Sequence, residues 1–84
     1  MTGVPIETLI PRLLAGDRAA YAELYDAISA SLFRLASVLT DSPAEAEELV
    51  QDTMLVVLRS PGVLAGVGDL RHYLYAVLRN AAAH

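Results

Sequence analysis

Residues 42–59, SPAEAEELVQDTMLVVLR, decide the fold of this 84-residue chain. Ser42 and Glu45 form a capping box, and Pro43 occupies the first helical position, so a helix begins here and runs to about Arg59. With about 3.6 residues per turn, one arc of this helix is apolar and is predicted to face the core. The residues of this arc are Ala46, Leu49, Val50, Thr53, Met54 and Val57.

A short helix and a long helix are predicted before this segment. Thr8 as the N-cap and Pro11 in the first turn predict a helix over about 9–15. Asp17 then caps a helix over 18–39. The apolar residues of this long helix recur in steps of three and four, and those predicted to face inward are Tyr21, Leu24, Tyr25, Ile28, Leu32, Leu35 and Leu39.

A fourth helix is predicted over 70–83, with Asp69 as its N-cap. Residues 60–68 contain three glycines and a proline, and they are predicted to form a loop, although an unusually apolar one. The inward stripe of the last helix is predicted to be Leu70, Leu74, Val77 and Ala81, with Tyr73 and Leu78 at its margins.

The composition indicates an all-α fold, a compact bundle of one short and three longer helices in a single domain over 1–84. Hydrophobic residues make up 55% of the chain, and a chain of this length buries only about 60% of its unfolded surface, so the core must be well packed. The lack of cysteine excludes disulfides and thiolate zinc sites. No signal peptide or membrane span is found in the sequence, which predicts a cytoplasmic protein with no membrane partner.

The charge of the chain is unevenly distributed. The net charge is −4, yet residues 1–69 carry four arginines and ten acidic residues, whereas residues 70–84 carry two arginines and no acidic residue. The acidic excess argues against indiscriminate nucleic-acid binding and confines the basic character to the last helix.

The polar side of the helix that begins at the capping box has a leucine among its charges. Leu55 lies three residues after Asp52, four after Gln51 and seven after Glu48, and it therefore shares their side of the helix. An apolar centre with a polar rim is typical of a surface that docks a partner helix. In the alternative interpretation, Leu55 and Leu58 contact the first helix or the apolar loop.

The last helix carries a row of basic and aromatic residues. Arg71, Tyr75 and Arg79 follow one another at steps of four along its outer side, with His72 beside them. Arginine contacts phosphates, and an interleaved aromatic ring stacks on an unpaired base, so this side is a candidate surface for nucleic acid. The alternative is an ordinary solvated helix face.

The sequence lacks the patterns that are typical of catalytic sites. His72 and His84 lie at no ligand spacing from another histidine, and the adjacent Glu47 and Glu48 point in different directions. The glycines precede no phosphate-binding pattern. We therefore predict no enzyme activity, no cofactor and no metal site.

Three parts of the sequence resemble region 2 of the extracytoplasmic-function (ECF) sigma factors of bacterial RNA polymerase. They are LAGDRAAYAELY at 14–25, AEELVQDT at 46–53, and YLY at 73–75 followed by Arg79 and Asn80. Their order and spacing are similar to the family over nearly the whole chain. The glutamate-leucine-valine-glutamine-aspartate block is fairly specific, whereas the alanine-rich block is weaker on its own.

The resemblance implies a helical bundle whose third helix docks on the clamp helices of the polymerase β′ subunit. By motif position it implies polymerase contacts for Glu48, Gln51 and Asp52. The position of the leucine among the charges adds Glu47 and Leu55 to this predicted set. Charge complementarity would then steer the encounter, and the desolvated leucine would hold the complex.

For the last helix, the resemblance implies that it captures bases of the non-template strand as the −10 promoter element melts. Asn80 is then a candidate base contact, because its amide both donates and accepts. Relatives usually carry tryptophan where this chain has Tyr73 and arginine where it has Ala76, so we expect fewer phosphate contacts and a shallower salt dependence. The predicted DNA-binding residues are Arg71, Tyr73, Tyr75, Arg79 and Asn80.

Two functions are compatible with these patterns. The first is a transcription initiation module that binds core polymerase and contacts and melts the −10 element. The second is a helical protein-interaction module that binds polymerase or an anti-sigma factor but no longer engages DNA. The helix-turn-helix region that relatives use to read the upstream promoter element does not follow in the sequence, which predicts a fragment of a longer sigma factor rather than a stand-alone remnant.

Overall fold

The computed structural model describes residues 3–83, and its regular structure there is entirely helical. The predicted all-α fold is confirmed. In chain order, the elements are a first 3₁₀ helix Ile6–Leu9, α1 Ile10–Leu14, α2 Arg18–Leu39, α3 Pro43–Arg59, a second 3₁₀ helix Pro61–Leu64 and α4 Leu70–Ala82. None of these helices within residues 3–83 is long and apolar enough to cross a membrane.

The first helical segment begins earlier than predicted, with a 3₁₀ helix instead of a cap at Thr8. The 3₁₀ helix Ile6–Leu9 runs directly into α1, and Thr8 lies inside it, where its hydroxyl donates to the carbonyl of Pro5 at 2.7 Å. Thr8 is therefore not the N-cap. Pro11 does lie in the first turn of α1 as expected. Gly16 follows the helix with φ of +81°, a conformation that glycine adopts without strain.

The three longer helices begin at the predicted capping residues. Asp17 accepts hydrogen bonds from two amide nitrogens in the first turn of α2, at 2.9 and 3.3 Å. Ser42 accepts from the N–H of Glu45 at 3.2 Å, and the Glu45 carboxylate accepts from the N–H of Asp41 at 2.9 Å. Asp69 accepts from an amide nitrogen in the first turn of α4 at 2.9 Å. Each cap satisfies donors that a helix start leaves unpaired.

Buried residues recur at steps of four along the three longer helices. Such rows form ridges on one helix that pack into the grooves of another. Helix α2 packs against both α3 and α4, and α3 packs against α4. The row in α2 consists of Ala20, Leu24, Ile28, Leu32 and Ala36. Helix α3 has two rows: Ala46, Val50 and Met54 form the first, and Leu49, Thr53 and Val57 form the second. The row in α4 consists of Leu70, Leu74 and Leu78.

This row geometry explains the core positions that were predicted wrongly. A step of four overshoots a full turn by about 40°, so the buried row moves slowly around the helix. Leu39 consequently leaves the core and is 42% exposed, whereas Thr40, which continues the row, is half-buried. In α4 the same effect brings Leu78 to the centre of the core, and Val77 and Ala81 are only half-buried.

The predicted loop also contributes to the core. Leu64, at the end of the second 3₁₀ helix, is fully buried, whereas the preceding Val63 is 39% exposed. The core face of α3 matches the prediction residue for residue. Its polar member, Thr53, donates to the carbonyl of Leu49 at 2.9 Å. Within residues 3–83, no buried side-chain polar atom lacks a hydrogen-bond partner.

Candidate docking and nucleic-acid surfaces

The side of α3 that points away from the core presents the residues that were predicted to bind a partner. We call this set the α3 outer face; its members are Glu47, Glu48, Gln51, Asp52 and Leu55. The four polar members are exposed and Leu55 is half-buried. The adjoining Leu58 is 45% exposed. The α3 outer face is therefore accessible to a partner, because α2 and α4 pack on the opposite side of α3.

Leu55 borders a shallow depression beside the second 3₁₀ helix. Leu55, Val56 and Val63 provide its apolar surface, and Asp52 and Arg59 stand at its edge. Leu55 therefore approaches the predicted loop, as the alternative interpretation expected, without being sealed beneath it. The depression offers space for an apolar side chain at the C-terminal end of the α3 outer face, where Asp52 and Leu55 line it.

Helix α4 distributes the five predicted DNA-binding residues over two flanks. Residues two positions apart on a helix point about 160° away from each other, so Tyr73 and Tyr75 lie on opposite flanks. Arg71, Tyr75 and Arg79 share one flank, because they are four residues apart. Asn80 shares the flank of Tyr73, since seven residues make nearly two full turns. The five residues therefore lie in two groups on opposite flanks of α4 and do not form one continuous surface.

The flank that carries Arg71 packs against α2. Arg71 donates from Nη1 to the hydroxyl oxygen of Ser31 at 2.9 Å, and both Arg71 and Tyr75 are half-buried. The prediction that this row lies on the outer side is wrong for these two residues, because α2 runs alongside them. It holds for Arg79, which is exposed, as is Asn80 on the other flank.

Two arginines meet at the contact between α2 and α4. Arg34 donates from Nη2 to the same Ser31 oxygen at 3.3 Å. Hydrogen bonding with Arg71 lowers the pKa of the Tyr75 phenol below its ordinary value, and Ser31 and the charges of Arg71 and Arg34 act in the same direction. Burial opposes this effect on the pKa without cancelling it.

Ser31 and Arg34 are not among the site residues predicted from the sequence. Ser31 lies 40 positions before Arg71, which donates to it, and Arg34 acts on Tyr75 of α4 only through its charge. Periodicity within one helix reports which residues share a face, but it carries no information about which helix lies opposite. Only the packing of α2 against α4 reveals this cluster.

Groups of three or more histidine, aspartate or glutamate side chains that are close enough to hold a metal ion are not found in residues 3–83. His72 is exposed at the start of α4. His84, the other histidine considered in the sequence, lies outside the described residues.

Comparison with known proteins yields two matches that agree with each other. The family described as Sigma-70 region 2 matches residues 24–84. The ECF RNA polymerase sigma factor SigL from three strains of Mycobacterium tuberculosis is 37% identical to the chain over 67 residues. The alignment covers 79% of this chain and 38% of the relative, so the chain spans well under half the length of this relative. No solved structure matches the chain.

Proposed function

Since the chain belongs to the Sigma-70 region 2 family and is similar to an ECF sigma factor, we propose that its α3 outer face binds the β′ clamp helices of core RNA polymerase. Together with this, α4 contacts the non-template strand of the −10 promoter element and assists its melting. The observation that carries the proposal is the exposed polar rim around Leu55, on the side of α3 opposite to the core. Such a module works where core polymerase is, in the cytoplasm.

Binding to polymerase follows from the chemistry of the α3 outer face. Glu47, Glu48 and Asp52 are exposed carboxylates that attract a basic partner and fix its register. Leu55 and its depression supply the apolar contact, which contributes most of the affinity once water is excluded. This activity is recognition, and it requires no catalytic step and no cofactor.

Binding to promoter DNA follows from the exposed residues of α4. Arg79 contributes a phosphate contact, and the amide of Asn80 pairs with the edge of an unpaired base. Tyr73, on the same flank as Asn80, offers a ring on which that base stacks. The last helix carries no acidic residue that would repel the strand.

The experiment that tests the proposal measures binding of the chain to purified core polymerase and to an isolated β′ clamp-helix fragment. The Gln51→Ala, Leu55→Ala double variant is expected to bind at least about tenfold more weakly, because it removes the centre of the docking surface. Its helicity and melting temperature are expected to change little. A large loss of stability would show that these residues belong to the core instead.

The matched control for this experiment removes one polar and one apolar side chain from α2. Asp26 is exposed and Val38 is 80% exposed, so the Asp26→Ala, Val38→Ala double variant changes a similar amount of surface on another helix. It is expected to bind polymerase like the native chain. Equal binding by both double variants would remove the α3 outer face from the interface.

A protein-interaction module without DNA binding is the second candidate function. The observation that favours it is the packing of Arg71 and Tyr75 against α2, which leaves fewer cations open on α4. The partner would then be polymerase or an anti-sigma factor, which would contact the exposed Leu58 and Val63. Binding to the clamp helices without affinity for single-stranded −10 DNA, measured in the presence of polymerase, would favour this function.

A further inference from the structure

Two arginines from different helices converge on one hydroxyl group. Arg71 of α4 and Arg34 of α2 donate to the oxygen of Ser31 at 2.9 and 3.3 Å. A serine oxygen has two lone pairs, and these two donors occupy both of them. The two guanidinium groups are therefore held side by side at the seam between α2 and α4.

Neither of these arginines forms an ion pair with a carboxylate within residues 3–83. The ion pairs in this part of the chain join Arg12 to Asp17 and to Glu23. Glu7 and Asp69, which lie near the start of α4, accept hydrogen bonds from backbone N–H groups of its first turn. Both carboxylates also line a surface depression with Arg71, but neither lies within ion-pair distance of it. Two like charges that stand together repel each other, and an anion bound between them reduces this repulsion.

We propose that Arg34, Arg71 and the Tyr75 hydroxyl form a binding site for a backbone phosphate of the promoter strand. The inference rests on the proposed contact of α4 with DNA and extends it to α2. Guanidinium groups present paired donors that match phosphate oxygens, and the phenol supplies a further donor. Ser31 is a positioning residue, because its oxygen holds both guanidinium groups together until a phosphate oxygen accepts from them.

The continuity of the seam with Arg79 favours a nucleic-acid strand over a free anion. Arg71, Tyr75 and Arg79 form one row, whose ends are separated by about 12 Å along the helix axis. A strand that lies along this flank passes the seam at one end and the exposed Arg79 at the other. The seam site thus adds a phosphate contact from α2 to those that α4 provides alone.

Phosphate contacts carry no base specificity, so a short oligo(dT) strand is a suitable probe. NMR spectra of the native chain are expected to show shifts of the side-chain Nε–H signals of Arg34 and Arg71 when this strand is added at low salt. The Arg34→Ala variant is expected to bind the strand several-fold more weakly. The slope of log affinity against log salt concentration should become shallower by about 0.7, the value for one phosphate contact to a single strand.

The chain offers a matched control on the same helix. Arg18 is exposed in the first turn of α2, about 24 Å along the helix from Arg34, and Arg18→Ala removes the same charge. It is expected to leave both the affinity and the slope close to those of the native chain. Arg34→Lys keeps the charge but loses the paired donors, so it should retain the slope with reduced affinity. Circular dichroism of each variant reports whether the bundle is intact.

Each further outcome separates this inference from the proposed function. If Arg79→Ala weakens binding while Arg34→Ala behaves like Arg18→Ala, the seam site is wrong and DNA binding by α4 stands. If the native chain neither binds oligo(dT) nor shows the shifts of the arginine signals, the seam site and DNA binding by α4 are both wrong. If inorganic phosphate alone shifts the arginine signals and oligo(dT) does not, the seam holds a small anion, and the assignment to the promoter strand is overturned.

Discussion

The carboxylate of Glu7 accepts a hydrogen bond from the backbone N–H of Leu70 at 2.9 Å, across 63 residues of sequence. Leu70 is the first residue of α4, and the local cap, Asp69, binds a different N–H of the same turn. Glu7 therefore satisfies a second donor and adds negative charge at the positive end of the helix dipole. The first 3₁₀ helix thereby stabilises the start of the helix that we propose to contact DNA.

The Glu7→Ala variant is expected to lower the free energy of unfolding by about 1 kcal/mol, which is typical for the loss of a helix-capping side chain. Urea unfolding measures this change. The exchange of the Leu70 amide proton should also become faster, because its acceptor is removed. Glu7→Gln keeps an acceptor without the charge and should lose less stability.

The control for the Glu7 variant is Asp26→Ala, which removes an exposed carboxylate that has no hydrogen-bond or ion-pair partner in residues 3–83. This variant should unfold like the native chain. If both variants lose the same stability, general charge effects rather than the contact with Leu70 explain the loss.

The bounds of the longer helices were predictable because their signals are local. Asp17, Ser42 and Asp69 each cap a helix through amide groups two or three residues ahead, so the sequence alone contains both partners. The contact between Glu7 and Leu70 is not local, and no spacing rule indicates it. Leu64 was missed for a related reason, since glycines mark the segment as a loop but do not reveal what it covers.

The two candidate surfaces differed in how well the sequence predicted them. The α3 outer face lies on one helix, so periodicity placed Gln51 and Leu55 on the same side before the fold was known. The seam between α2 and α4 depends on helix packing, which brings Ser31 beside Arg71. Periodicity predicts which residues share a surface only when all of these residues lie on a single helix.

The adjacent residues Val63 and Leu64 are expected to respond very differently to truncation. Leu64→Ala should lower the free energy of unfolding by about 2–5 kcal/mol, because it leaves a cavity in the core. Val63 is 39% exposed, so Val63→Ala should cost much less and serves as the matched control. Chemical unfolding compares the two. Equal losses would contradict the assignment of Leu64 to the core.

The ion pair between Arg12 and Asp17 predicts a pH dependence of stability. Their nitrogen and oxygen atoms are 2.9 Å apart, and hydrogen bonding with Arg12 lowers the pKa of Asp17. The folded state therefore gains stability above the unfolded pKa of about 3.9 and loses it as the pH falls through the lower, folded value. Arg12→Met removes this pair together with the pair between Arg12 and Glu23. Melting curves of the native chain and of this variant should differ at neutral pH and converge below about pH 4.

A salt series separates this contribution from packing. The side chain of Arg12 is 43% exposed, so added salt should screen the pair and narrow the difference between the two proteins. Arg18→Met, which changes an exposed arginine without an ion-pair partner in residues 3–83, is the control. A constant difference at all pH values and salt concentrations would attribute the effect to the methylene groups of Arg12.

Two tyrosines of the same chain are expected to ionise in a fixed order. The contact with Arg71 lowers the pKa of Tyr75, whereas burial raises the pKa of Tyr21. In an NMR titration of the ring signals, Tyr75 should therefore lose its proton first.

The two tyrosines are expected to have opposite effects on stability above pH 10, the ordinary pKa of tyrosine being about 10. Ionisation of Tyr75 stabilises the folded state, because its pKa is lower there than in the unfolded chain. Ionisation of Tyr21 destabilises the folded state, because its pKa is higher there. Arg34→Ala should raise the pKa of Tyr75 slightly, because Arg34 acts only through its charge, and Arg71→Ala should raise it more. If Tyr21 ionises before Tyr75, the predicted order is wrong. If neither variant moves the Tyr75 titration, the two arginines do not act on the Tyr75 phenol.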